Sequence, residues 1–472
     1  MQNYESLLER VRKAIVLENL YDLLEWDQKV MMPLGALEYR AAHVGVVKGL
    51  IQEIYADPKI GTLLSQIDES GLDDDQKVNI YEIRKLHEKY KCITPELTKE
   101  INETLTKATE AWREAKAKKD FQLFLPWLEK TFALARDKGG ICPEKKTYEV
   151  LLDDFTHIPL DIVERELKRL KITALKLVKE NECKVIDVPK EVQRPFIRDM
   201  LEQCGFDFNK GRLDEYTHPF SVSHGRITVD YREWKKTISS ALHEAGHAWY
   251  DQGLPIKAFG TPIGCQRSHA IHETQSKLWE DFIGKGEPFW TFFFPKLQKQ
   301  YTPYFDGMTF EEFYNIITII EPREKRLGSD EVTYILHIIL RFEIEMDVIN
   351  GDLHVGDIPS AWARKMKEYL GLEVEEHSCL QDIHWARAGI GYFPAYAVGL
   401  IGAAQFYNAM KRDYPDIEEE ISDGKFDNIH IWLKENIWSH GSRYSECELI
   451  KQATGESFSA DAYIDYLEKK YK

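Results

Sequence analysis

Cysteine is scarce and unpatterned in this 472-residue sequence. There are seven (Cys92, Cys142, Cys183, Cys204, Cys265, Cys379, Cys447), an odd number, and none belongs to a C-x-x-C pair. That excludes a disulfide framework and a thiolate zinc site, and it points to a reducing compartment. Long apolar runs are missing too. The longest nearly apolar stretch, 396–407, is broken by Gln405 and falls well short of the roughly 20 residues that cross a bilayer. The opening residues, MQNYESLLER, are charged from the start and offer no apolar segment ending in a small-residue cleavage site, so no signal peptide is read there. Positive charge is in deficit, 62 Lys and Arg against 79 Asp and Glu, a net of −17. Phosphate backbones and anionic lipids repel such a chain, which sets nucleic-acid and membrane binding aside. Internal repeats and Gly/Ser/Pro-rich linkers are absent as well. With 43% hydrophobic and 30% charged residues, the composition is that of a globular, soluble protein, expected in the cytoplasm.

Helical periodicity fills most of what remains. Leu7, Leu8, Val11, Ile15, Leu17, Leu20, Leu23 and Leu24 recur mainly at spacings of three and four, predicting an amphipathic helix that ends before Pro33. Further helices are predicted over 38–55, 74–90, 95–118, 126–138, 161–181 and 191–204, with Pro95 at a helix start and Pro195 near the first turn of the last. The pattern changes after Asn209-Lys210-Gly211-Arg212. From 219 to 231, Phe220, Val222, Ile227 and Val229 alternate across Ser223-His224-Gly225, which predicts a short hairpin. Helix then resumes to the end. The fold class is mostly α, with a small β-sheet near the middle.

The decisive residues follow the hairpin: Ala241-Leu242-His243-Glu244-Ala245-Gly246-His247. Asp230 and Glu233 are expected to open this helix as a capping box, and Gly253 to close it. Positions i and i+4 project from one helical face, so His243 and His247 can offer two imidazole nitrogens to one cation, at about 2.0–2.1 Å for zinc. Glu244 starts one residue on, within reach of a water beside the ion. Zinc lowers the pKa of such a water to about 7, and a neighbouring carboxylate takes its proton during attack on a carbonyl. A metzincin would need H-x-x-G-x-x-H, but Tyr250 and Gly253 occupy the diagnostic positions. A carboxylate on a later helix is the other route to a third ligand. Between 268 and 281 the candidates are Glu273, Glu280, Asp281, His269 and His272, and spacing alone does not choose among them.

Six dispersed elements then appear in one order: His218-Pro219-Phe220; Gly225-Arg226-Ile227-Thr228; His243-Glu244-Ala245-Gly246-His247; His272-Glu273-Thr274-Gln275; Arg326-Leu327-Gly328-Ser329-Asp330; and Gln381-Asp382-Ile383-His384-Trp385. Together they resemble the carboxypeptidase Taq metallopeptidases, with their HPF, D-x-R-x-T, zinc-helix, H-E-S/T-Q, I/V-R-x-x-A-D and G-x-x-Q-D-x-H-W motifs. The likeness extends to 23–33 and to Gly391-Tyr392-Phe393-Pro394, and so spans nearly the whole chain. It implies a zinc carboxypeptidase of broad specificity, with cobalt as a second candidate ion, and a helical body around a deep groove. It makes Glu273 the third metal ligand beside His243 and His247, and it implies peptide substrates with a free C-terminus and often a homodimer. On this reading 1–472 is one metallopeptidase domain, with 1–207 forming the N-terminal helical part of the groove and 208–472 the zinc-binding part. The chain departs from the pattern at four positions. His224 stands for Asp, Lys325 for Ile or Val, Ser329 for Ala and Ser378 for Gly, changes that bear on substrate handling rather than hydrolysis.

A carboxypeptidase must grip a terminal carboxylate, and the planar fork of arginine suits that task. Arg326 is the first choice and Arg226 the second. Strand 226–229 is expected to pair with an extended substrate. His218, His384 and Tyr392 are candidate donors to the developing oxyanion, and Gln381-Asp382 is expected to orient a ligand imidazole. Trp26, Trp127, Trp249, Trp279 and Trp385 read as packing residues. Two other classes compete: a zinc oligopeptidase or endopeptidase with the same helix, and a non-catalytic helical binding protein that keeps the metal as a staple.

Overall fold

The computed structural model describes residues 2–91, 95–140, 144–179, 181, 186–223 and 225–472. Cys92, Cys142, Cys183 and His224 lie outside the described residues. Of the other cysteines, Cys204, Cys265, Cys379 and Cys447 are free.

The N-terminal half is helical in the predicted order: α1 (Gln2–Val30), α2 (Leu37–Ala56), α3 (Pro58–Gln66), α4 (Asp74–Lys91), α5 (Pro95–Lys118), α6 (Leu125–Gly139), α7 (Thr147–Leu152), α8 (Leu160–Leu177) and α9 (Lys190–Gln203). The short helices α3 and α7 were not legible, because six to nine residues hold too few turns to establish a period. The helix predicted over 161–181 stops at Leu177, and Pro195 sits inside α9 rather than in its first turn.

Three strands follow: β1 (Arg212–Glu215), β2 (Ser221–Val222) and β3 (Arg226–Val229), in the order β1-β3-β2. The expected hairpin is β2 with β3, Ser221 opposite Ile227. Its turn ends at Gly225, whose φ of +79° is left-handed and suits glycine. β1 pairs parallel to β3, Arg212 opposite Arg226, so strand 226–229 is the central strand and does not offer an extended substrate the free edge expected of it. Sequence reading missed β1 because Arg-Leu-Asp-Glu carries a single apolar residue.

The remaining chain forms α10 (Trp234–Gly253), α11 (His269–Lys277), a π-helical turn (Leu278–Ile283), α12 (Glu287–Gln300), α13 (Phe310–Thr318), α14 (Glu331–Asn350), α15 (Ile358–Leu370), α16 (Phe393–Asp413), α17 (Ile417–Ser422), α18 (Asp427–Asn436), α19 (Glu446–Thr454) and α20 (Asp461–Tyr471). The fold is a mostly α peptidase body with, among the described residues, one three-stranded sheet.

The capping box expected at α10 does not form. Asp230 is occupied by Arg232, accepting from its backbone N–H at 3.1 Å and from Nε at 2.6 Å, while Glu233 pairs with Lys236 at 2.6 Å. Nearby cations outcompete the helix N–H groups, and the Thr237 hydroxyl instead donates to the Asp230 carbonyl at 2.7 Å. The buried residues Ile227, Thr228 and Val229 of β3 feed directly into α10, fixing where its histidines emerge. Trp26, Trp249, Trp279 and Trp385 are buried, and Trp127 is half-buried. Among the described residues, no helix is long and apolar enough to cross a membrane.

Candidate metal centre

Two helices and a close approach between them build the site. Gly246 lies between the two histidines on α10, and a Cβ there would come within 2.6 Å of the Gln275 carbonyl oxygen. Glycine therefore lets the α11 backbone lie against α10. From the other side α16 packs on α11 at Gly399, where a Cβ would fall 2.5 Å from Glu273 Cγ. Glu273 is thus held between two helices and aimed at α10.

His243, His247 and Glu273 offer ligand atoms that all lie within 4.8 Å of one another. Glu273 Oε2 is 3.8 Å from His243 Nε2 and 3.5 Å from His247 Nε2, and its Oε1 is buried with no hydrogen-bond partner. Two imidazoles and one carboxylate, with an orphaned buried oxygen among them, fit a divalent cation with a coordination position left open. Burial alone would push the Glu273 carboxyl up, but the two imidazoles hold it down at about 2. Burial presses His243 down, yet Glu273 and Glu280 raise it to about 9, while burial lowers His247 to about 4. Glu244 is buried beside them, and burial pushes its carboxyl up to about 7.

The other candidates raised on spacing stand behind the cluster or outside it. Glu280 Oε2 accepts from His243 Nδ1 at 2.8 Å. His272 Nδ1 lies 2.5 Å from His247 Nδ1, and its Nε2 lies 2.9 Å from Asp251 Oδ1. Asp281 pairs with Lys285 at 2.5 Å, and His269 is exposed, its ring 5.9 Å from that of Tyr392. Glu280 and the His272–Asp251 pair orient the imidazoles, the role expected of Gln381-Asp382.

Gln381 and Asp382 hold arginines instead. Asp382 Oδ1 accepts from Arg326 Nε at 3.2 Å and Nη2 at 2.9 Å, and Oδ2 from Arg341 Nε at 2.7 Å. Gln381 Oε1 accepts from the Arg326 backbone at 2.9 Å and from Arg341 Nη2 at 2.8 Å. Burial alone would raise Asp382, but the two guanidinium charges keep it far below the usual carboxylate range. The fork of Arg326 is therefore taken, and its Nη1 donates to the Tyr334 hydroxyl at 3.1 Å.

His384 Nε2 lies 3.3 Å from the Tyr396 hydroxyl, and burial, opposed by Asp382 but helped by Arg326 and Arg341, lowers its pKa to about 3. Tyr392 packs edge-on against Phe155 at 4.8 Å and neighbours His384 at 5.2 Å. Burial and the charge of Glu273 raise its hydroxyl pKa. Arg226 stacks its guanidinium 5.4 Å from the Trp26 ring centre, and His218 is exposed. Of the departures, Lys325 is exposed, Ser329 donates to the Lys325 carbonyl at 2.8 Å, and Ser378 accepts from Trp362 Nε1 at 3.1 Å. Asp251, Tyr334, Arg341 and Tyr396 went unread. Only Asp251 carried a local signal, four residues beyond His247 on the same face.

The family profile of the carboxypeptidase Taq (M32) metallopeptidases matches residues 6–471. Thermostable carboxypeptidase 1 of Thermus thermophilus is 34% identical over 500 residues, covering 99% of this chain and 98% of that protein. Carboxypeptidase 1 of Bacillus subtilis is 34% identical, covering 95% and 94%. The M32 carboxypeptidase of Deinococcus radiodurans R1 superposes with a TM-score of 0.95 at 31% identity, covering 100% of this chain and 99% of that one. Metallocarboxypeptidase 1 of Trypanosoma cruzi gives 0.94 at 30% identity with both chains fully covered. A likeness that runs end to end in both sequence and backbone makes this chain a member of the carboxypeptidase Taq (M32) family, a metallocarboxypeptidase that hydrolyses peptide bonds.

Proposed function

We propose that the chain is a zinc-dependent carboxypeptidase of broad specificity that removes C-terminal residues one at a time. The observation that carries this is the convergence of His243, His247 and Glu273 within 4.8 Å, with the buried carboxylate of Glu244 on the same helix. Zinc is the first candidate for that donor set and cobalt the second, and a divalent ion held there supplies Lewis-acid polarisation of a carbonyl and acidification of water.

The chain's own residues do the rest. Glu244, with a pKa near neutrality, takes the proton of the attacking water and passes it to the departing amine. The Tyr392 hydroxyl and a neutral His384 keep their protons and can donate to the developing oxyanion. Arg326 and Arg341 share the single carboxylate of Asp382, so one positive charge is left over. A substrate's terminal carboxylate neutralises it, approaching Arg326 at the Nη1 corner rather than across its fork. Arg226 and His218 are carried forward as contacts to the body of the peptide through their side chains, since β3 lies between β1 and β2. A homodimer and a reducing cytoplasm belong to the same reading, the latter supported by the four free thiols.

The test compares peptides bearing free and amidated C-termini, followed by mass spectrometry, with the enzyme as purified, chelated, and reloaded with Zn2+. Single-residue ladders from free ends alone, lost on chelation and restored by zinc, are expected. Equal cleavage of amidated peptides would mean an endopeptidase, and an absence of chelator-sensitive hydrolysis would leave a binding protein with a structural metal.

A further inference from the structure

Behind the candidate ligands lies a buried chain of alternating charges that the hydrolytic chemistry does not use. Lys277 closes α11, one turn beyond Glu273, and is 5% exposed. Its Nζ lies 2.7 Å from Glu280 Oε2, the same oxygen that accepts from His243 Nδ1 at 2.8 Å. Nζ also lies 3.4 Å from Asp281 Oδ2, and Lys285 holds the other Asp281 oxygen at 2.5 Å. The π-helical turn beginning at Leu278 carries both carboxylates, so two adjacent acidic side chains, Asp281 buried and Glu280 half-buried, flank one ammonium. The ammonium further sits 4.4 Å from the centre of the Tyr334 ring, whose hydroxyl accepts from Arg326.

We propose that Lys277 is a positioning residue of the metal centre, acting through Glu280 on His243. A carboxylate that accepts the Nδ1–H of an imidazole fixes its tautomer and turns Nε2 outward. Glu280 does this only while it stays against His243. Beside the buried Asp281, it would be driven away by like-charge repulsion without a cation between them. Lys277 supplies that cation on the one oxygen that matters, whereas Lys285 neutralises Asp281 one link further from the ligand. This rests on the reading of His243 as a metal ligand.

The test measures Zn2+ affinity of the full chain by competition with a chromogenic chelator. K277M is expected to weaken binding by about 10–100-fold, the range typical for partners of ligating histidines. K277R should stay within a few-fold of wild type. K285M should lower thermal stability but leave Zn2+ affinity nearly unchanged. E280Q should match K277M, and the double variant should lose little more than either single one, because both act on the same bond. Should K277M fail to fold, E280Q and K277R still decide: wild-type affinity in E280Q, or an equal loss in K277R and K285M, overturns the proposal. Wild-type affinity in a folded K277M overturns it alone. A wild-type chain that binds no Zn2+ removes the metal reading as well.

Discussion

Glu244 is 6% exposed, and its carboxyl sits near neutrality because burial penalises its charge. A base poised there is matched to water activation at neutral pH. Replacing it with glutamine keeps the size and polarity of the side chain but removes the proton acceptor. E244Q should therefore lower kcat by about 100- to 10,000-fold while metal content, measured on the same sample, stays at the wild-type level. Joint loss of metal and activity would assign Glu244 to ligation instead. A second carboxylate carries a pH signature for stability. Glu345 accepts from Tyr148 Oη and Trp385 Nε1, each at 2.7 Å, and from the Gly391 backbone at 2.9 Å, yet burial still raises its pKa to about 7. Its folded pKa exceeds the ordinary 4.5, so the native state binds the extra proton. The stability this confers is present below that ordinary value and lost as pH rises through the folded one. Relative to E345Q, the wild type should lose up to about 3 kcal/mol between pH 5 and pH 8 in urea melts, taking about 1.36 kcal/mol per pKa unit. A difference that does not change with pH would mean that Glu345 is ionised throughout.

At the level of helices, the site depends on where α10, α11 and α16 touch. The i, i+4 histidines were legible because both ligands and the base fall within five residues of one helix. Glu273 was only one candidate of several on spacing, since its position depends on how α11 returns against α10, a tertiary fact. Gly246 and Gly399 encode that return, but as glycines within helical patterns they announce nothing beyond themselves. The same limit hid Arg341 and Tyr334, whose roles arise from pairing across 41 residues with Asp382 and from contact with Arg326. It also misassigned Asp230 and Glu233, where two local cations defeated a sequence-perfect cap. Gly399 offers the sharpest test of the helix contacts. A methyl there meets Glu273 Cγ at 2.5 Å and Cβ at 2.7 Å, atoms that cannot rotate aside as a side-chain tip can. G399A should cost about 1–3 kcal/mol from overpacking and weaken Zn2+ binding while far-UV circular dichroism stays unchanged. Wild-type affinity would show that α16 yields and that Glu273 is positioned from α10 alone.

Across the whole molecule, the apolar core of the described residues falls into two clusters. One runs from Ala108 to Leu467 and contains the packing around α10, α11 and α16. The other gathers residues of the first four helices, Tyr4 to Ile83, with Cys265 packed against it. What ties the second to the first is largely polar: Arg267 to Glu82 at 2.8 Å, the Ile263 N–H to Asn79 Oδ1 at 3.0 Å, Arg443 to Asp75 at 2.6 Å and Lys89 to Asp154 at 2.8 Å. Arg443–Asp75 and Lys89–Asp154 are partly exposed and contribute little net stability each, whereas Arg267–Glu82 and Ile263–Asn79 are the buried links. A separate apolar cluster can still open without exposing the larger one. Tyr21 on α1 and Lys48 on α2 are close enough to Arg387 to feel its charge. Native-state hydrogen exchange should therefore find α1–α4 protected by a smaller free energy than α10, α11 and α16, with their amides exchanging as one cooperative unit at low denaturant. Bound Zn2+ adds its binding free energy to the larger cluster, about 2.7 kcal/mol at a hundredfold excess over Kd, so metal should widen the gap between the two sets of amides. Equal protection in both sets, rising together with metal, would mean that the polar links couple the clusters into one unfolding unit.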